Sequence, residues 1–297
     1  NDGHTWNYDA FNTIQGGVNG VLSNGIVHVL PGTYHESVTI AKPLQVLGSG
    51  SSAVFVTGTG AGGSRGFYID RADNVTIQGV TVRNFDTGIY LRGTGTGSGP
   101  RVYNATIVYN AFESNQSYAL WGSYVYTSTI CSNDIALGNN GIYLENAHGN
   151  TICYNDIFNN LGFGVKLNAG SGNSIDNNEI NNNQNVGIEL VGQTQQNGVY
   201  GNNLQDLWWD GILISGTVSS DVYVAANTIA NTNLAWLDAG GTPPDSYHNL
   251  GGIVLMGITT GSEVRQNRIA GVSNALGNRA DAAGVYLFNN TAPITVE

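Results

Sequence analysis

Residues 129–190 read TICSNDIALGNNGIYLENAHGN, TICYNDIFNNLGFGVKLNAGSGN and SIDNNEINNNQNVGIEL. Aligned on I-x-x-N-x-I followed by G-I-x-L, the same phrase is written three times. The copies begin at Ile130, Ile152 and Ile175, spaced by 22 and 23 residues. Self-similarity at such a period marks a solenoid, in which each copy buries its apolar face against its neighbours. Within a copy, Ile142 and Leu144 alternate with Tyr143 and Glu145, the period of a strand and not of a helix. Three short strands and three turns fit within one period. The reading is an all-β, single-stranded parallel β-helix of about ten coils with 22–25 residues per coil.

The apolar share of 41% under strict periodicity makes this a folded chain despite 42 glycines and only 10% charged residues. Net charge is −11, and the two lysines and eight arginines form no basic run. Nucleic acid is therefore not an expected partner. No apolar stretch has the length of a membrane span. Cys131 and Cys153 occupy one repeat position on adjacent coils. Strands about 4.8 Å apart fall within the Cα separation a disulfide tolerates; the plainer reading is a stacked pair of free thiols, each a small apolar filler. Acidity, few lysines and abundant Asn, Ser, Thr and Gly lean towards an extracellular or cell-surface setting.

Residues 1–25 do not fit the repeat and are read as an N-terminal cap, with an amphipathic helix over residues 8–15 covering the first coil. The β-helix then runs over 26–297, opening with strands at 26–30, 38–40 and 44–47. From Asn74 the coils are counted by Ile77, Ile107, Ile130, Ile152, Ile175, Val199, Val224 and Val264. Asparagines follow three residues later in all but the first: Asn110, Asn133, Asn155, Asn178, Asn202, Asn227 and Asn267. Asn tolerates left-handed backbone and hydrogen-bonds along a stack, so this column reads as structural. Glycines, with Ala119 as a substitute, open each third strand. Insertions at 93–100, 233–250 and 271–282 break the regularity, and loops on a rigid scaffold are where function usually sits.

The stretch IVHVLPGTYHESVTIAKPLQVLG, with Gly32-Thr33-Tyr34-His35-Glu36 and Leu44–Gly48, resembles the opening of the pectin-lyase-like superfamily. The repeats over 67–290 resemble NosD-like and carbohydrate-binding β-helix families. That resemblance, with the general hand of parallel crossovers, implies a right-handed helix. It does not imply an activity. The polygalacturonase words N-T-D, G-H-G and R-I-K, the epimerase D-P-H-D and the pectate-lyase W-I-D-H are missing.

The outward residues of the G-I-x-L strands include Tyr90, Trp121, Tyr143, Lys166 and Glu189, with Glu145 and Asn168 two residues along. Tyr143, Glu145, Lys166 and Glu189 are expected to share one patch and are the catalytic candidates. Lys166 and Tyr143 suit β-elimination as base and acid; Glu145 and Glu189 suit hydrolysis. Trp208, Trp209, Trp236, Tyr247 and His248 are expected to wall the patch, and with Asn168 to bind substrate, since sugar rings stack on indole and phenol faces. Lys166 over Glu189 also reads as an ordinary inter-coil ion pair, and the aromatic column as strand-stabilising stacking.

No metal centre is indicated, because His148 and His248 lack a second ligand at helical or hairpin spacing. Ca²⁺ would need Asp206, Asp210, Asp238 and Asp245 to converge, and no other cofactor is expected. Two functions stand side by side. One is an extracellular protein that binds, and in the stronger form cuts, a polysaccharide. The other is a structural or adhesive surface protein that associates with its own kind through an uncapped C-terminal coil.

Overall fold

The computed structural model describes residues 10–95, 99–219, 221–232, 251–259, 261–272, 283–291 and 294–297. Every strand pairing in it is parallel, and the strands build three long sheets that run the length of a β-helix. In one central coil, Thr129–Cys131 lies in the first sheet, Asp134–Ala136 in the second and Asn140–His148 in the third. The next coil repeats the register residue for residue, Ile130 beside Ile152, Ile135 beside Ile157 and Ile142 beside Val165. These inward residues are fully buried. Neither helices nor a second layer is needed to form the core; each coil is the neighbour its neighbour packs on.

The asparagine column runs along the inside of the first corner. Asn133 Nδ2 donates to Asn155 Oδ1 at 2.9 Å, Asn155 to Asn178 at 2.9 Å and Asn178 to Asn202 at 2.9 Å. The series extends through Asn227 to Asn267. Each Oδ1 also accepts the backbone N–H of the preceding ladder residue, as Asn155 Oδ1 does from Asn133 N at 3.1 Å. The second amide hydrogen goes to a carbonyl one coil back, Ile130 O for Asn155. From Asn110 to Asn227 these asparagines are buried, so the ladder satisfies backbone donors that water cannot reach. Shorter ladders run at the other corners, Asn150–Asn173–Asn197 and Asn160–Asn183.

Left-handed backbone falls elsewhere than expected. It sits on the residue before each ladder asparagine: Tyr109, Ser132, Tyr154, Asn177, Gly201, Ala226 and Gln266 have φ between 51° and 60°. The corner is turned there. The asparagine itself lies one residue further on, where its side chain points into the core, so its merit is its amide and not its tolerance of positive φ. Left-handed φ costs a non-glycine residue roughly 1–2 kcal/mol, which the ladder's bonds offset.

The N-terminal helix is also displaced from the expected span. It covers Ile14–Gly20, capped by Thr13, whose Oγ1 accepts from Gly16 N at 3.0 Å. Glu36, from the G-x-Y-x-E word, receives Ile14 N at 2.8 Å and Gln15 N at 2.9 Å. A carboxylate at the positive end of the helix favours it, which is why IQGGVNG, poor in helix formers, is helical. Ile14 and Val18 are buried in the core. The helix therefore packs on the first coil, and it starts where the expected one would end.

Cys131 and Cys153 form a disulfide, with Cα atoms 4.6 Å apart, closing a 22-residue separation between adjacent coils. On the chain-entropy model, a loop of this size contributes about 3 kcal/mol. Replacing both cysteines with serine is therefore expected to lower unfolding free energy by about 2–3 kcal/mol in urea denaturation, with the native circular dichroism spectrum kept.

Candidate functional site

The third sheet carries the longest strands, and its outer surface is ordered in columns. Register places Tyr68, Tyr90, Trp121, Tyr143, Lys166, Glu189, Leu213 and Val254 side by side in one column. Asp70, Arg92, Ser123, Glu145, Asn168 and Val191 form the next. The four catalytic candidates do come together on this surface, and with them Asn168.

Their contacts are specific. Lys166 Nζ lies 2.9 Å from Glu189 Oε2, with the Glu189 side chain only 11% exposed. Asn168 Nδ2 donates to the Tyr143 hydroxyl at 3.1 Å. Glu145 lies two residues further along the same strand as Tyr143. Burial raises the Glu145 pKa above the ordinary carboxylate value, and the Tyr143 hydrogen bond opposes the shift only in part. No cation contributes to that balance. The Glu145 carboxyl is thus drawn towards its neutral, proton-donating form, while Glu189 is bound to an ammonium. Two carboxylates in unlike surroundings are the raw material of acid–base chemistry.

The aromatic column is a stack. Tyr68 and Tyr90 rings lie 5.6 Å apart, Tyr90 and Trp121 4.3 Å apart at 14°, and Tyr118 and Tyr143 5.4 Å apart at 20°. Rings this close use their faces on one another, so the strand-stabilising reading holds for Tyr90 and Trp121, and they offer edges more than faces to a ligand. The Trp121 Nε1 proton is buried without a protein acceptor.

A further column escaped the sequence reading. Counting outward residues from the second position after each strand-opening glycine skips the residue before it. That position holds Thr87, Tyr118, Asn140, Phe163, Val186 and Asp210. Tyr118 and Phe163 flank Tyr143, with Phe163 6.2 Å from it by ring centroid, and Lys166 Nζ is 5.8 Å from the Phe163 ring. The signal was available: an aromatic directly ahead of the recurring small residue at Ala119 and Gly164.

Of the expected wall, Trp236, Tyr247 and His248 lie outside the described residues. Trp209 packs on Val186, Leu213 and Val254, an apolar cluster on the outer surface of the sheet. Trp208 is half-buried beside it. Asp210 is fully buried and accepts from Gly251 N at 2.9 Å, while Asp206 accepts from Asn231 Nδ2 at 3.0 Å. These two carboxylates serve backbone and loop contacts. Among the described residues no three His, Cys, Asp or Glu side chains converge as metal ligands; Asp238 and Asp245 lie outside them. No helix of the described residues is long and apolar enough to cross a membrane.

Residues 65–229 match a family model described as "Right handed beta helix region". No curated protein matches the sequence. Among solved structures, ORF18 of Geobacillus virus E2 is similar at TM-score 0.64 and 15% identity, over 96% of this chain and 57% of that one. The catalytic domain of a GH87 α-1,3-glucanase in complex with tetrasaccharides matches at TM-score 0.59 and 12% identity, over 96% and 64%. DFA-IIIase from Arthrobacter chlorophenolicus matches at TM-score 0.59 and 15% identity, over 82% and 74%. The chain thus spans less than two thirds of the first two. At these identities the likeness is one of fold.

Because folding raises the Glu145 pKa, its ionisation weakens the native state above the ordinary carboxylate range. Glu145→Gln is expected to melt higher than the wild type at pH 7, with the difference closing as pH falls through that range. Melting curves at pH 7, 5 and 3.5 check this.

Proposed function

We propose a carbohydrate-binding role for this chain, which belongs to the right-handed β-helix family. The ligand is a polysaccharide lying across the outer surface of the third sheet, over Tyr143, Glu145, Lys166, Asn168 and Glu189. The observation that carries the reading is the Asn168–Tyr143 hydrogen bond, with Glu145 in register beside Asn168 and the Lys166–Glu189 pair adjoining. Neighbouring donors and acceptors, half-buried and fixed by strand register, are what hydroxyl recognition requires. Tyr118 and Phe163 add apolar surface at its edge. Two similar folds, the α-1,3-glucanase domain with its tetrasaccharides and DFA-IIIase, put carbohydrate within the range of this architecture. The inter-coil disulfide suits an oxidising, extracellular compartment.

Cleavage is the finer form of the same reading, with Glu145 as proton donor and Glu189 as the second carboxylate. Binding does not depend on it. Lys166 is committed to Glu189, so β-elimination with Lys166 as base would first have to break that pair.

A glycan array probed with the wild type and Glu145→Gln tests the primary reading, with sizing of the same samples by light scattering. The expected result is a defined set of glycans bound by a monodisperse monomer, weakened up to about tenfold by Glu145→Gln, which loses the carboxyl O–H donor, the scale of one neutral hydrogen bond. Absence of binding together with ordered multimers would move the structural reading to first place.

A further inference from the structure

Cations are scarce in this chain, and most of those described are matched. Arg71 and Arg92 share Asp70 at 2.8 and 2.9 Å, Arg83 meets Glu113 at 3.9 Å, Arg265 meets Glu263 at 3.5 Å, and Lys166 holds Glu189. Arg101 has no carboxylate among the described residues. It precedes the strand Val102–Tyr103, which pairs with Val125–Tyr126 to form a short extension of the third sheet. Tyr126 is in register with His148, the last residue of the strand Asn140–His148 that also carries Tyr143 and Glu145.

The extension is a second aromatic stack. Tyr103 and Tyr126 rings lie 5.3 Å apart, and Tyr126 and His148 4.9 Å apart at 25°. The Arg101 guanidinium sits 4.7 Å above the Tyr126 ring, one of its nitrogens 3.4 Å from the Tyr103 hydroxyl. Its Nε is buried without a hydrogen-bond partner, the only such cationic nitrogen among the described residues. This guanidinium has one nitrogen hidden and no counter-charge among the described residues of a protein that carries 21 carboxylates. His148 Nδ1 accepts the Ser171 backbone N–H at 3.2 Å and lies 2.9 Å from Ser171 Oγ. Its ring proton therefore belongs on Nε2. Burial, and then Arg101, hold the His148 pKa below its ordinary value, so at neutral pH the ring is a neutral donor. Arg101 supplies the charge, and aromatic packing holds its fork in place. Planar guanidinium groups match carboxylate and sulfate oxygens bidentately.

We propose that Arg101, with Tyr126 and His148, is an oxyanion-binding subsite that takes the carboxylate or sulfate ester of an acidic glycan. It rests on the carbohydrate-binding reading and narrows it to charged polymers. Glu145, three residues before His148 on one strand, then faces uncharged hydroxyls of the same ligand.

Affinity electrophoresis in gels containing polygalacturonate, dextran sulfate or neutral dextran is the test. The wild type is expected to be retarded by one of the charged polymers and not by dextran; which one separates uronate from sulfate recognition. Arg101→Gln should weaken that interaction about tenfold or more, and Arg101→Lys should restore part of it. Melting curves establish that both variants are folded. Competition with free sulfate or acetate gives a readout independent of any substitution, and retardation should be relieved. Equal retardation of wild type and folded Arg101→Gln, or retention by dextran alone, would overturn the subsite while leaving the carbohydrate reading intact. Failure with all three polymers, on a glycan array as well, would remove both.

Discussion

The buried amide ladder is the interaction on which the rest of this structure depends. A β-helix corner places backbone N–H groups inside, where neither a strand partner nor water meets them. One asparagine per coil answers three needs: its Oδ1 accepts the neighbouring ladder residue's N–H and Nδ2, and its own Nδ2 reaches a carbonyl one coil back. Every member is both donor and acceptor, so the ladder holds only if consecutive coils keep the same register. The isoleucine columns beside it fill space; the amides fix phase.

Function inherits that phase. Once coils are locked in register, residues spaced by one period become neighbours, and a chain of 297 residues can write a surface column by column. Tyr143, Lys166 and Glu189 are separated by more than 20 residues each, yet adjoin on three consecutive strands. The same rule gives stacked tyrosines, paired charges and a disulfide between equivalent cysteines. It also brings like charges together: Asp134, Asp156 and Glu179 stand in one column of the second sheet, and burial together with the two neighbouring acids raises the Asp156 pKa. Regularity supplies sites and costs alike, and selection of side chains decides between them.

Much of this was legible in the sequence because a solenoid turns periodicity directly into contact. The three strands per coil, the ladder, the shared patch and the Lys166–Glu189 pair all follow from counting. What counting missed has physical causes. The helix Ile14–Gly20 depends on Glu36, more than 20 residues away, and not on local propensity. Left-handed φ was assigned to the asparagines because they tolerate it, while the corner geometry places it one residue earlier. The strands Val102–Tyr103 and Val125–Tyr126 are two residues long, too short for any period, so the stack that holds Arg101 appears only in three dimensions. Tyr118 and Phe163 were overlooked because they precede the repeat's glycine position, where the strand had been taken to begin.

The account turns on the ladder holding the coils in register, and equilibrium urea denaturation of Asn155→Ala beside Asn203→Ala measures this directly. Both remove an amide from the same stretch of helix, but Asn155 is inside the ladder while Asn203 lies on the outer surface and bonds Glu179. The account predicts a loss of about 3 kcal/mol or more for Asn155→Ala, because buried donors on Asn133 lose their acceptor, and less than about 1 kcal/mol for Asn203→Ala. Comparable small losses for the two would contradict it, and the register would have to be ascribed to the aliphatic columns alone.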